Sequence, residues 1–227
     1  MNKYIIEFLG TFFLILIIGM TGNPIAIGLG LAVLVYMGAH ISGAHYNPAV
    51  SLAMYINKQI DAKELGKYIS SQLVGSVIGT FTLTKLGQDS FNIVSQTNDI
   101  QSFFIAEILF TFLLVFVILN VALSKNLKDN QFYGIAIGLT VTAGAFAVGD
   151  ISGGVFNPAV SFGPSFFSFI DPQVVGSNVS SSDFFTYYLA TGIIGSVLAS
   201  YLYKKVSGND DFIRNLIIKT INRYFPS

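Results

Sequence analysis

Cysteine is absent from the chain and charge is scarce. With no cysteine among 227 residues, disulfides, thiol chemistry and thiolate metal sites are excluded. Charged residues make up 11% of the chain and hydrophobic residues 52%, whereas a soluble domain carries about 25% charged residues. The medium for most of the chain is therefore lipid. The 12 basic and 12 acidic residues cancel, so no net field draws a nucleic acid or an acidic partner. The only histidines are His40 and His45, and two lone histidines make no metal site. No metal and no cofactor is expected. Ser–His pairs, His–Glu metal patterns and helically spaced Asp pairs are missing too, which argues against an intramembrane enzyme.

What the chain does have is long apolar runs. A membrane-spanning helix needs about 20 mostly apolar residues. Six segments meet or approach that length: 4–20, 25–40, 65–86, 102–124, 132–150 and 184–203. The first follows Met1 closely. Only Lys3 precedes it, Glu7 lies inside it, and no small-residue cleavage pattern appears before Ile25. It reads as a retained span and not a signal peptide. Six spans put both termini on one side. Eleven of the twelve basic residues then fall on that side: Lys3, Lys58, Lys63, Lys67, Lys125, Lys128, Lys204, Lys205, Arg214, Lys219 and Arg223. Only Lys85 falls on the other, where the loops carry Asp89, Asp99, Asp171 and Asp183. By the positive-inside rule the termini are cytoplasmic.

The chain also repeats itself. Ile41-Ser-Gly-Ala-His-Tyr-Asn-Pro-Ala-Val-Ser51 recurs 110 residues later as Ile151-Ser-Gly-Gly-Val-Phe-Asn-Pro-Ala-Val-Ser161, with eight of eleven positions identical. Upstream, Glu7-Phe-Leu-Gly-Thr-Phe12 matches Glu107-Ile-Leu-Phe-Thr-Phe112. One channel-like domain spanning 1–227 is expected, with halves 1–100 and 101–207. Each half holds three spans, an odd number, so the second enters the membrane inverted. Inverted repeats place a shared site near the bilayer midplane. The tail 208–227, with Arg214, Lys219 and Arg223 among apolar pairs, reads as an amphipathic helix on the inner membrane surface.

Segments 41–56 and 151–168 are apolar but too short to cross. Each opens on a Ser-Gly-rich stretch and turns helical at an Asn-Pro pair. Asn is a favoured N-cap and Pro fits the first helical position. The segments therefore read as re-entrant, entering as loop and returning as half-helix. Loop backbone at membrane depth is tolerated only where it is buried in protein or lines a wet cavity. Inversion brings the half-helices in from opposite faces with their N-termini meeting centrally. Each tip carries about half a positive charge, and the amides of Asn47 and Asn157 are predicted to donate into a pore. A single Asn-Pro-Ala is usually only a helix start, but two in matching contexts are a strong signal.

At Asn47-Pro48-Ala49, Asn157-Pro158-Ala159, the lead-in His40-Ile-Ser-Gly-Ala-His45 and the Glu7 and Glu107 spans, the sequence resembles the aquaporins, or major intrinsic proteins, over nearly its whole length. The resemblance implies an all-α membrane protein of six transmembrane helices plus two re-entrant half-helices. It implies a homotetramer with one pore per subunit, and Glu7, Glu107 and His45 as supports of the loops. Candidate close contacts are Gly28 with Gly30, Gly75 with Gly79, Gly134 with Gly138 and Gly192 with Gly195. The family's outer filter carries over onto Ile27, Ala145, Gly154 and Val160. Here the chain departs from the family: Val160 stands where an Arg usually follows the second motif, and Ala145 where strict water channels carry His. Ser161, where glycerol conductors carry Asp, resembles the water-channel subgroup.

The expected activity is passive conduction of water, with ammonia, hydrogen peroxide or glycerol as further neutral permeants. A broader neutral-solute channel and a secondary transporter are the alternatives, with the lipid of a plasma or inner membrane as surroundings. His45 reads first as a loop-fixing group and second as a pH-sensitive gate, and His40 as facing the inner vestibule. Phe103-Phe104, Phe166-Phe167, Phe184-Phe185 and Tyr187-Tyr188 read as interfacial anchors, and Asn178-Val179-Ser180 fits a glycosylation acceptor.

Overall fold

The computed structural model describes residues 2–87, 99–170 and 183–207. The tail 208–227 and Asn178 lie outside the described residues. Among those described, every regular element is helical: α1 Asn2–Thr21, α2 Pro24–Ser42, α3 Pro48–Ile56, α4 Ala62–Lys85, α5 Ile100–Leu123, a 3-10 turn Lys125–Leu127, α6 Tyr133–Ser152, α7 Pro158–Ile170 and α8 Asp183–Ser207. The six long helices correspond to the six apolar runs, and α3 and α7 are the two half-helices. The chain is an integral, multi-pass membrane protein.

Local chemistry sets the helix ends. Asn23 caps α2, its Oδ1 accepting from Ile25 N at 2.9 Å and Ala26 N at 3.1 Å, with Pro24 at the first position. Asp61 caps α4 by accepting from Glu64 N. Gly43 and Gly153 close α2 and α6 in the left-handed conformation, each at φ 87°, where a side chain would be strained. Five of the long helices are apolar enough to cross a membrane unaided, and α4 is not among them. Its start carries Lys63, Glu64 and Lys67, and its inner face buries Gln72, Ser76 and Thr80.

The most extensive packing joins α1 to α4, α5 to α8, and α2 to α6. The first two are equivalent pairs in the two halves, and the third lies on the pseudo-two-fold axis between them. There Gly28 and Gly138, 110 residues apart, face one another, and a Cβ on either would collide with the other's carbonyl oxygen. A Cβ on Gly75 would lie 2.6 Å from Phe8 O, and one on Gly195 would lie 2.8 Å from Thr111 Cβ. In lipid no hydrophobic force drives helices together, so such backbone approach supplies the dispersion contact that holds them.

Two expectations are corrected. Phe103 and Tyr188 are buried at 3% and 1% exposure and pack edge to face at 5.0 Å, so they are core residues and not interfacial anchors. The Tyr188 hydroxyl donates to Ser152 O, a partner that an anchor in the headgroup region would not need. His40 lies in the last turn of α2 but is not among the residues lining the central cavity, whereas Ala39 and Ile41 on either side of it are.

Candidate pore

A cavity of about 1320 Å³ runs through the bundle. Lys3, Glu64 and Lys128 line one end, which holds the start of α1 and is termed inner; Gly22, Pro24 and Asp150 line the other. Asn47 and Asn157 both line it, as do Ile27, Ala145, Gly154 and Val160. A Cβ built on Gly154 would touch Ala145 Cβ at 3.6 Å, so these two positions adjoin. The two halves thus bring both motifs and all four carried-over filter positions to one space.

Each Asn does two jobs. Asn47 Oδ1 accepts from Ala49 N at 2.8 Å, capping α3, while its Nδ2 donates to Phe156 O at 2.9 Å. Asn157 Oδ1 accepts from Ala159 N at 3.0 Å, capping α7, while its Nδ2 donates to Tyr46 O at 3.0 Å. The cap fixes the amide's orientation, and the second bond crosses to the opposite half. An amide NH2 carries two hydrogens, so one on each Asn remains for the cavity. The sequence reading aimed the whole NH2 groups at the pore and missed this brace.

The serines lock the same junction. Ser76 on α4 donates to Ala159 O at 2.5 Å, and Ser196 on α8 donates to Ala49 O at 2.7 Å. Each half-helix is therefore held at its tip by a helix of the other half. Neither serine stood out in the sequence. The available signal was a row of small or polar residues every fourth position in a span: Gln72, Ser76, Thr80 and Gly192, Ser196, Ser200.

The loops ahead of the motifs are backbone-strained. Ala44, Tyr46 and Phe156 have φ of 51°, 49° and 49°, a region costing non-glycine residues about 1–2 kcal/mol each. Buried carboxylates hold them there. Glu7 Oε1 accepts from Ser42 Oγ at 2.7 Å and His45 N at 2.9 Å; its Oε2 accepts from Tyr46 N at 2.7 Å and Gln72 Nε2 at 2.8 Å. Glu107 accepts from Ser152 Oγ at 2.6 Å, Val155 N at 3.0 Å and Phe156 N at 2.8 Å. Backbone donors so satisfied leave the adjacent carbonyls unclaimed. Among the described residues no donor reaches the carbonyl oxygens of Gly43, Ala44, His45, Gly153, Gly154 or Val155, and all six residues line the cavity. His45 Nδ1 lies 3.1 Å from Ser51 Oγ, and its ring packs 4.7 Å from that of Tyr68. No cluster of three or more metal-binding side chains occurs among the described residues.

Residues 1–203 match the family model described as major intrinsic protein. The chain belongs to that family. Among its relatives, the glycerol uptake facilitator protein-like 6 of Lactiplantibacillus plantarum is 36% identical across 93% of this chain and 100% of that protein. Nodulin-26 of Glycine max is 32% identical across 92% of this chain and 79% of its own length. The crystal structure of the aquaglyceroporin from Plasmodium falciparum superposes with a TM-score of 0.79 at 26% identity, covering 90% of this chain and 95% of that one. Within the major intrinsic protein fold, the half-helix tips, the crossed Asn amides and the unclaimed carbonyls all border the one cavity.

Proposed function

We propose that this major intrinsic protein is a passive channel for water and small neutral solutes, with selectivity against protons and ions set at the paired Asn-Pro-Ala tips. The observation that carries this reading is the Asn47–Asn157 pair. Two capped amides, one from each inverted half, border a single cavity and keep one N–H apiece after bracing the opposing loop. A water between them accepts from both, turns its own hydrogens outward, and breaks the chain along which a proton would hop. The two half-helix tips add positive potential at the same place and repel cations. On either side the carbonyls of Gly43–His45 and Gly153–Val155 offer acceptors in series, so a solute exchanges water contacts for protein contacts without leaving the pore.

Beyond water, the relatives' names point to glycerol-sized solutes, and the carried-over filter fits them. Ile27, Ala145, Gly154 and Val160 present no charge and no side-chain donor, so nothing there screens out a slim polyol or ammonia. The cytoplasmic placement of both termini, the loop-supporting roles of Glu7, Glu107 and His45, and assembly as a homotetramer belong to the same proposal. It includes one channel domain with halves 1–100 and 101–207.

Stopped-flow light scattering on proteoliposomes of the full chain tests it. Water permeability well above that of empty vesicles is expected, with measurable glycerol entry and no proton leak. Permeability equal to that of empty vesicles would sink the channel reading.

A further inference from the structure

The 110-residue offset that relates the two motifs also relates α2 to α6, as the facing Gly28 and Gly138 show. Applied to the outer filter, it gives each position a mate in the inner half. Ile27 pairs with Ile137, Ala145 with Val35, Gly154 with Ala44, and Val160 with Val50. The two-fold that brings the outer positions to the cavity brings their mates there as well, and all four line it. The substitution of Val for Arg after the second motif therefore does more than remove a charge. It makes both motifs Asn-Pro-Ala-Val and leaves the pore with two uncharged apolar rings, one on each side of the Asn pair.

The rings are not equal in size. At two of four positions the inner residue is larger: Val35 opposite Ala145 and Ala44 opposite Gly154. Overall surface exposure runs the same way. Val35, Ala44 and Ile137 are buried, at 3%, 8% and 7% exposure, whereas Ala145, Gly154 and Ile27 are each partly open. Only Val50 and Val160 are alike, both at 3%. The inner ring also has the pore-lining His45 ring beside it where the outer half has Val155. That imidazole is held by Ser51 and packed on Tyr68, so it is fixed in place.

We propose that Val35, Ala44, Val50 and Ile137 form a second selectivity ring, and that this inner ring, not the outer one, sets the largest solute the channel passes. The claim rests on the channel reading above and deepens it. A solute leaving the carbonyls of one half crosses the Asn pair and then meets the tighter apolar collar. Bulk is discriminated there by van der Waals exclusion, because the ring's side chains offer no hydrogen bond to exchange. The outer ring, wider and without donors, is the entry vestibule of the narrow path.

Matched substitutions across the two-fold test this in proteoliposomes of the full chain. The readout is glycerol permeability divided by water permeability. Ile137→Ala is expected to raise that ratio severalfold and Ile27→Ala to raise it less. Val35→Ala, which reproduces the outer residue Ala145 and removes only two carbons, is expected to act in the same direction as Ile137→Ala. It serves if Ile137→Ala does not yield folded protein. An equal or larger rise from Ile27→Ala would overturn the proposal. So would an unchanged ratio in Val35→Ala protein that still conducts water. Failure of the wild-type chain to conduct water at all would instead remove the channel reading itself, so the two failures are distinguishable.

Discussion

Glu7 shows how much one side chain organises here. It is fully buried at 0% exposure and both oxygens are engaged, each by two donors. In Glu7→Gln one oxygen becomes an NH2 that faces two donors, whichever way the amide turns. Each orphaned buried donor costs about 1–3 kcal/mol. The variant is expected to lose folded yield and to melt several degrees lower in detergent, followed by size-exclusion fluorescence on heating. An unchanged melting curve would show that the loop does not depend on this carboxylate. At the filter, Val160→Arg tests the carried-over assignment. A guanidinium at this position narrows the outer ring and adds donors, so glycerol permeability is expected to fall while water permeability persists. Unchanged solute permeability would show that Val160 does not bound the path. Tyr46 makes a different residue-scale point. It is wedged where a Cβ on Gly10 or Gly38 would strike its ring, and its hydroxyl donates to Leu34 O at 3.0 Å. The second half fills the same place with Phe156 stacked on Phe110 at 5.6 Å. Two different residue pairs thus produce one loop geometry.

Among the elements, the half-helices depend on what lies at each end. Their N-termini are capped by Asn and tied across the two-fold. At the C-terminus of α3, Lys204 of α8 donates to Ile56 O at 2.7 Å. A cation there satisfies an orphan carbonyl and offsets the negative end of the helix dipole, worth about 0.3–1 kcal/mol at an exposed site. Lys204→Met is expected to lower the melting temperature by about 1–4 °C for a chain of this size and to leave the permeant profile as it was. A changed solute ratio would mean that α3 shifts along its axis when the cap is lost. The element α4 carries a related lesson. It is the least apolar span because its inner face must supply Gln72 to Glu7 and Ser51, and Ser76 to Ala159 O and Gly163 N. Its polarity is a consequence of facing the re-entrant loops and not a sign of an extramembrane helix.

For the whole molecule, the interlocking of the halves implies a rigid path. Asn47, Asn157, Ser76 and Ser196 each bond to backbone of the opposite half, so moving one half against the other would break four buried hydrogen bonds at once. An alternating carrier needs that motion; a fixed pore does not. Water flux measured against temperature is therefore expected to show an activation energy near that of water diffusing in bulk, without saturation. A steep, saturable dependence would favour the carrier.

The sequence by itself determined the six crossings, their orientation signal, the inverted repeat and the identity of the capping Asn-Pro pairs. These follow from apolar length, charge asymmetry and local capping preference, all of which act over a few residues and are written along the chain. The tertiary structure decided where the amides' second bonds go, which polar residues of α4 and α8 hold the half-helix tips, and that Phe103 and Tyr188 are core. It also decided that Val35, Ala44, Val50 and Ile137 share the cavity with the outer ring. Contacts between residues some 110 positions apart depend on how two halves nest, and no local pattern encodes that distance.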